Sequence, residues 1–181
     1  MINDIASELA KLHVLQGADF VKQLERIAAR KDFKLLDGET SIYAMGDYQH
    51  DDFAAIIYAA HKAVDFGYKV FILPNPKGIR TADFIFEQKG ILKMYDLKTI
   101  QGKASVLNRL LESVGQTHHV LLNITTNYNA RQLAKEILAY FQINPLGFEV
   151  LIFKHKKLLS VTRKSIENKD FVKAFMRTYL K

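Results

Sequence analysis

The sequence contains no cysteine, which excludes disulfide bonds, thiol catalysis and zinc sites built on thiolates. It has no apolar run close to the roughly 20 residues of a membrane span. Its first residues do not combine a basic segment with an apolar one, as a signal peptide does. We therefore expect a protein without membrane partners that acts in a bacterial-type cytoplasm.

Acidic residues are outnumbered, since 19 Asp and Glu face 26 Lys and Arg and leave a net charge of +7. Such an excess favours polyanionic partners such as nucleic acids, although a basic protein with no nucleic-acid role has the same signature. The hydrophobic fraction of 49% is typical of a folded protein. A chain of 181 residues suits one domain, or one domain with a small helical attachment.

Hydrophobic periodicity predicts an N-terminal helical hairpin followed by alternating helices and strands. We assign residues 1–40 to a helical attachment and residues 41–181 to a core, with a short strand near residues 41–45. Helices and strands in this mixed order predict an α/β fold with a mixed central sheet flanked by helices. The remaining predicted core elements cover residues 51–66, 68–73, 82–87, 91–100, 106–115, 120–124, 128–141, 149–153, 158–162 and 166–180.

The strand predicted over residues 91–100 carries Asp96 and Lys98 near its end. Alternate residues of a strand share a face, so these two side chains lie side by side, about 7 Å apart. A tight turn to the preceding strand brings Asp83 roughly opposite Asp96. Two carboxylates can bind a divalent cation, while a lysine steadies a phosphoryl oxygen or activates water. The alternative is a salt bridge at a strand end, with Asp83 at a turn.

The order of these residues and elements resembles the PD-(D/E)XK nuclease superfamily, with Asp83 in one strand and the sequence DLK at residues 96–98 in the next. More narrowly, the segments TADFIF, YDLKTI, ES followed by GQ, and VLLN resemble C-terminal nuclease domains of polymorphic toxins. These include tRNA-cleaving domains of contact-dependent growth-inhibition proteins. The resemblance covers about residues 51–154, and Ala82 stands where the motif has a proline.

The resemblance implies a metal-dependent endonuclease that hydrolyses phosphodiester bonds, in RNA such as tRNA rather than in DNA. Asp83 and Asp96 would bind the ion, expected to be Mg²⁺ with Mn²⁺ or Zn²⁺ as alternatives, and Lys98 would support the attacking water. The glutamine of the family corresponds to Gln116, the fourth catalytic candidate. A delivered toxin of this kind would act in the cytoplasm of a target cell, and an immunity protein as partner is left open.

Further substrate-binding candidates follow the DLK sequence. On the predicted helix, Arg109, Glu112 and Gln116 are spaced by three and four residues and share one polar stripe, where Arg109 would contact phosphate. Thr99 and Lys103 lie in the connection to that helix, where a helix N-terminus can receive phosphate. The alternatives are a solvated helix face and an ordinary connecting turn.

Two other functions remain open on the same residues. A metal-independent ribonuclease toxin would use Lys, Thr, Gln or His, and His50, His61, His118 and His119 are its acid–base candidates. A non-catalytic nucleic-acid-binding module of a mobile element would keep the fold without the chemistry.

Positive charge is concentrated toward the C-terminus, where it could follow a phosphate backbone. The aromatic residues between these cations are expected to be helix core rather than stacking platforms for bases. The basic residues are Lys154, Lys156, Lys157, Arg163, Lys164, Lys169, Lys173, Arg177 and Lys181, with His155 among them.

Overall fold

A computed structural model describes residues 2–46, 51–102 and 105–181 of the chain. The chain divides into two compact units, Met1–Asp96 and Leu97–Lys181. The sequence-based division into an attachment over residues 1–40 and a core over residues 41–181 stays a prediction. No helix among the described residues has the length and apolarity needed to cross a membrane.

The first unit contains the predicted helical hairpin and a mixed sheet. Strand β1 runs antiparallel to β2, β2 runs parallel to β3, and β3, β4 and β5 are antiparallel neighbours. The elements are α1 (Ile2–Lys11), α2 (Gly17–Ala28), β1 (Phe33–Leu35), β2 (Ile42–Met45), α3 (Phe53–Asp65), β3 (Lys69–Ile72), β4 (Phe84–Gln88) and β5 (Ile91–Ile100), the last of which continues into the second unit.

Helices cover both faces of this sheet. The hairpin α1–α2 packs on one face through a cluster that includes Phe71, Ile85 and Met94. Val70 and Ile72 are also fully buried, and strand alternation turns them to the opposite face. Helix α3 contacts β2 and β3. Because both faces are covered, the strands read as continuous apolar runs rather than as alternating ones.

The turn between β4 and β5 fixes the register that matters for the site. Lys89 and Gly90 have φ angles of 51° and 78°, the left-handed pair that a two-residue type I′ hairpin requires. This confirms the predicted hairpin. The register runs from the turn to the pair of Phe84 and Tyr95.

The second unit has the order helix, strand, helix, two strands, helix. Strands β6 and β7 are parallel, and β8 returns antiparallel to β7. The elements are α4 (Val106–Leu111), β6 (His119–Ile124), α5 (Ala130–Ile143), β7 (Glu149–Lys154), β8 (Lys157–Thr162), a 3-10 turn (Ser165–Glu167) and α6 (Phe171–Leu180). The α/β class with a mixed sheet is confirmed, because both units combine parallel and antiparallel pairs with packed helices.

The core of the second unit lies between its strands and the helices α5 and α6. Leu133, Ile137 and Phe141 of α5 belong to one buried cluster with aromatic residues of α6 such as Phe175 and Tyr179. The aromatic residues of the terminal helix are therefore core, as predicted.

Arg163 forms hydrogen bonds with the end of α5 and with the segment that connects α5 to β7. Its guanidinium donates hydrogen bonds to the carbonyls of Phe141, Asn144 and Gly147 at 3.1, 2.6 and 2.9 Å. It also lies over the ring of Phe141, 5.2 Å from the centroid. Carbonyls at a helix end have no partner within the helix, so Arg163 supplies one.

Arg163→Ala is expected to lower the free energy of unfolding by roughly 3 kcal/mol, because three carbonyls lose a charged donor. Denaturant titration followed by circular dichroism measures the change. Arg177→Ala is the matched control, since Arg177 is exposed on α6, and it should change the free energy by less than about 0.5 kcal/mol. Equal changes in the two variants would contradict a special role for Arg163.

Candidate functional site

The two predicted metal ligands lie near the open end of the β4–β5 hairpin, with Asp83 just before β4 and Asp96 within β5. The register of the two strands ends at the pair of Phe84 and Tyr95. The backbone N–H of Asp83 donates to the carbonyl of Tyr95 at 3.0 Å. Asp83 and Phe84 therefore both lie opposite Tyr95, as in a β-bulge, and the predicted position of Asp83 opposite Asp96 stays a prediction.

Strict alternation of side chains ends at Asp83. Ala82 and Ile85 both belong to the cluster against the α1–α2 hairpin, although three residues separate them. In a regular strand, residues three apart face opposite sides of the sheet. This break in alternation agrees with a β-bulge at Asp83 and Phe84.

Asp96 is one of the few buried acidic residues of the described chain, with 3% of its surface exposed. Along β5 it continues the face that Leu92 and Met94 turn toward the α1–α2 hairpin. Burying a carboxylate costs solvation free energy that other groups must offset. A carboxylate in this position is consistent with a ligand-binding role.

Lys98 lies two residues further along β5 and belongs to the second unit. Its side chain is 12% exposed, and its Nζ is 3.7 Å from Oε2 of Glu112. The same oxygen accepts a hydrogen bond of 2.7 Å from Nη1 of Arg109. The three candidates Lys98, Arg109 and Glu112 therefore form one charged cluster, with Lys98 the least exposed member.

Two contacts hold the start of α4, which carries Arg109. Ser105 caps the helix by accepting a hydrogen bond from the N–H of Asn108. The hydroxyl of Tyr128 donates to Glu136 at 2.6 Å and accepts from the N–H of Val106 at 3.4 Å. Burial, and secondarily the bond to Glu136, raises the pKa of Tyr128 to about 12, so the hydroxyl stays protonated.

The helix after the DLK sequence is shorter than predicted, so Gln116 is not part of the predicted polar stripe. It ends at Leu111, and Glu112 is its C-cap. The following residues form tight turns up to Gly115, whose φ of 86° is left-handed. Gln116 lies in these turns and is half-buried, so it does not share a helix face with Arg109. Val114, predicted on the apolar face, is 40% exposed.

The remaining sequence candidates are distributed differently. Thr99 is half-buried on β5, one residue beyond Lys98. Lys103 and His50 lie outside the described residues. The ring of His61 contacts the carboxylate of Glu39 in the first unit.

Sequence reasoning missed two groups of partners. The contact of Lys98 with Glu112 depends on where α4 ends, which residue spacing did not reveal. The second group joins three strands, because Glu149 accepts a 2.6 Å hydrogen bond from Ser160 and contacts His119 at 3.2 Å. His119 pairs directly with Glu149, and Ser160 lies two residues before Thr162, the partner of Glu149 on β8. A correct alignment of the three strands would therefore have brought these residues together.

The predicted metal site contains two carboxylates, those of Asp83 and Asp96. No three His, Asp or Glu side chains come together in a potential metal site within residues 2–46, 51–102 and 105–181. Magnesium binds through only one or two carboxylates and keeps several waters, with substrate phosphates as further ligands. Asp83 and Asp96 would provide that number of carboxylates, and a magnesium ion held by them stays a prediction.

No family model matches the chain, and no curated protein matches it. Among solved structures, the chain is similar to a chain of the CdiA-CT/CdiI toxin and immunity complex from Burkholderia pseudomallei. The identity is 14%, the alignment covers 65% of this chain and 91% of that chain, and the TM-score is 0.40. Function is therefore argued from the residues of this chain.

Proposed function

We propose that this chain is a magnesium-dependent endonuclease that hydrolyses phosphodiester bonds of RNA, with its reactive residues at the end of β5. One observation carries the proposal. Asp96 is 3% exposed, follows Tyr95, whose carbonyl accepts a hydrogen bond from the N–H of Asp83, and precedes Lys98 by two residues on a continuous strand. A buried charge costs free energy of folding, so an acidic residue kept in this position is consistent with a functional role.

Asp83 and Asp96 would hold the ion through carboxylate oxygens. A bound Mg²⁺ supplies positive charge at the scissile phosphate and lowers the pKa of water. Asp96 lies within β5, and the hydrogen bond from the N–H of Asp83 to the carbonyl of Tyr95 holds Asp83 beside the same strand. A strand positions such side chains more rigidly than a loop does.

Lys98 would stabilise the negative charge that develops on a phosphoryl oxygen. Its small exposed fraction limits competition from water, which strengthens an electrostatic contact. Glu112 holds the ammonium from one side, while Arg109, which is 37% exposed, is placed to meet a substrate phosphate. Thr99, Lys103 and Gln116 stay candidates for positioning the substrate.

RNA is the preferred substrate because the segments TADFIF, YDLKTI and VLLN resemble tRNA-cleaving toxin domains. The same resemblance supports a delivered toxin that acts in the cytoplasm of a target cell, with an immunity protein as its partner. The net charge of +7 favours any polyanionic substrate and does not distinguish RNA from DNA.

The test is cleavage of total tRNA and of plasmid DNA by the purified chain, each with Mg²⁺ and with excess chelator. We expect tRNA fragments in the Mg²⁺ reaction alone. Asp96→Asn, purified in parallel, excludes a contaminating nuclease. Cleavage that survives chelation would support a metal-independent ribonuclease, and intact substrates in every reaction would contradict an enzyme.

A further inference from the structure

The second unit carries most of the positive charge of the chain. It contains fourteen Lys and Arg residues against five Asp and Glu, whereas the first unit contains twelve against fourteen. The net charges are therefore +9 and −2. A polyanion is therefore attracted to the second unit more strongly than to the first.

Several of its cations have structural partners. The ammonium of Lys154 lies 3.7 Å from the ring centroid of Tyr179, and Lys157 donates to the carbonyl of Tyr179 at 3.3 Å. Arg163 donates hydrogen bonds to the three carbonyls described above. These groups stabilise the fold, so they are poor candidates for a ligand.

Four other cations surround a groove of about 540 Å³ on α5 and α6. Lys173 and Arg177 lie four residues apart on α6, Lys169 lies two residues before that helix, and Arg131 approaches from the first turn of α5. All four are exposed, and none forms an ion pair within the described chain. Asp170 is the one carboxylate among the described residues that line the groove.

Uncompensated like charges repel one another, so this arrangement is a cost to the fold that a polyanion would relieve. The two cations of α6 are four residues or about 6 Å apart along the helix, which is the length of roughly two phosphates along one strand of a duplex. A second cleft begins at Arg131 and continues along α5 past Lys135. The positive path therefore extends beyond a single phosphate.

Beside the cations runs an apolar row formed by Val172, Met176 and Leu180, again at four-residue spacing. A nucleic-acid strand presents charged phosphates on one side and the flat apolar faces of its bases on the other. A concave groove with a charged row and an apolar row suits such a strand better than it suits a flat membrane surface.

We propose that the groove between α5 and α6 binds the phosphate backbone of RNA, as a strand-binding site in addition to the residues at the end of β5. The choice of RNA as the ligand rests on the proposed function. The assignment of the groove as a binding site for a polyanion rests only on its lining residues. Lys173 and Arg177 contact phosphates, and Arg131 extends the contact onto α5.

The test measures binding of fluorescently labelled single-stranded RNA to the full chain by anisotropy, in chelator so that metal-dependent cleavage is suppressed. The groove variant is Lys173→Gln with Arg177→Gln, and the control is Lys156→Gln with Lys164→Gln. Both variants remove two exposed positive charges from the same unit. Circular dichroism confirms that each variant is folded.

We expect the groove variant to bind about tenfold more weakly at physiological salt and to reduce the slope of log affinity against log salt by about 1.4. The control should stay close to the original chain. Equal losses in both variants would mean that net charge alone binds RNA and would overturn the proposal. Absence of RNA binding by the original chain would overturn it as well.

A parallel measurement uses phosphatidylcholine vesicles containing phosphatidylserine. Loss of vesicle binding in the groove variant, with RNA binding unchanged, would assign the groove to a membrane surface and overturn the proposal. Binding of RNA through the groove without cleavage would leave this inference standing and contradict the proposed nuclease. Cleavage with no effect of the groove variant on RNA binding would contradict the groove alone.

Discussion

Lys98→Ala is expected to slow tRNA cleavage by about 10² to 10⁴-fold, the range found when a positioned catalytic group is removed. The ammonium is 12% exposed at the end of β5, where few waters can replace its charge. Its contact with Glu112 is long, at 3.7 Å, and Glu112 is 49% exposed. Such a pair contributes only about 0 to 1 kcal/mol to stability, so the variant should remain folded.

Lys93→Ala is the matched control for Lys98→Ala. Lys93 is also half-buried on β5, but it lies five residues away and on the opposite face of the strand. Single-turnover rates with tRNA should fall for Lys98→Ala and stay within a few-fold for Lys93→Ala. A fall in thermal stability with an unchanged rate would instead identify Lys98 as a structural partner of Glu112.

Asp96→Asn is expected to reduce cleavage by about 10³-fold or more, since the loss of a metal ligand removes several kcal/mol of transition-state stabilisation. The amide has the same shape as the carboxylate, so the packing around this 3% exposed side chain is retained. The neutral side chain also avoids the cost of burying a charge. We therefore expect a midpoint of thermal unfolding within a few degrees of that of the original chain. Rates measured over a magnesium titration show whether added ion restores activity.

Glu149→Gln is the control for Asp96→Asn, because it removes a buried charge without removing a proposed metal ligand. Glu149 is likewise 3% exposed, and its carboxylate contacts His119 and accepts a hydrogen bond from Ser160. We expect this variant to cleave tRNA at a rate close to that of the original chain and to be less stable by roughly 1 to 3 kcal/mol. Equal loss of cleavage in Asp96→Asn and Glu149→Gln would point to general destabilisation.

Local patterns were sufficient to predict strands β4 and β5. Apolar, aromatic and β-branched residues located both strands, and the Lys89–Gly90 turn set their register because a two-residue loop leaves little freedom. The position of Asp83 was not predictable in this way, because its N–H also bonds to Tyr95 and interrupts the regular pairing. Strand β1, by contrast, is only three residues long and too short for alternation to reveal.

Features that depend on where an element ends, or on non-local packing, were not predictable. The apolar spacing after Ser105 fits a longer helix, yet the chain leaves α4 at Leu111 and turns through Gly115. That early end removes Gln116 from the helix and leaves Glu112 at its C-cap, beside Lys98. The approach of Arg131 to the basic row of α6 likewise depends on helix packing.

The most direct measurement of the central claim compares tRNA cleavage by the original chain and by Asp96→Asn at saturating Mg²⁺, with circular dichroism spectra of both. The account predicts fragments from the original chain, loss of at least about 10³-fold in rate for the variant, and identical spectra. Equal cleavage by two folded proteins would contradict the assignment of Asp96, and with it the proposed centre at the end of β5.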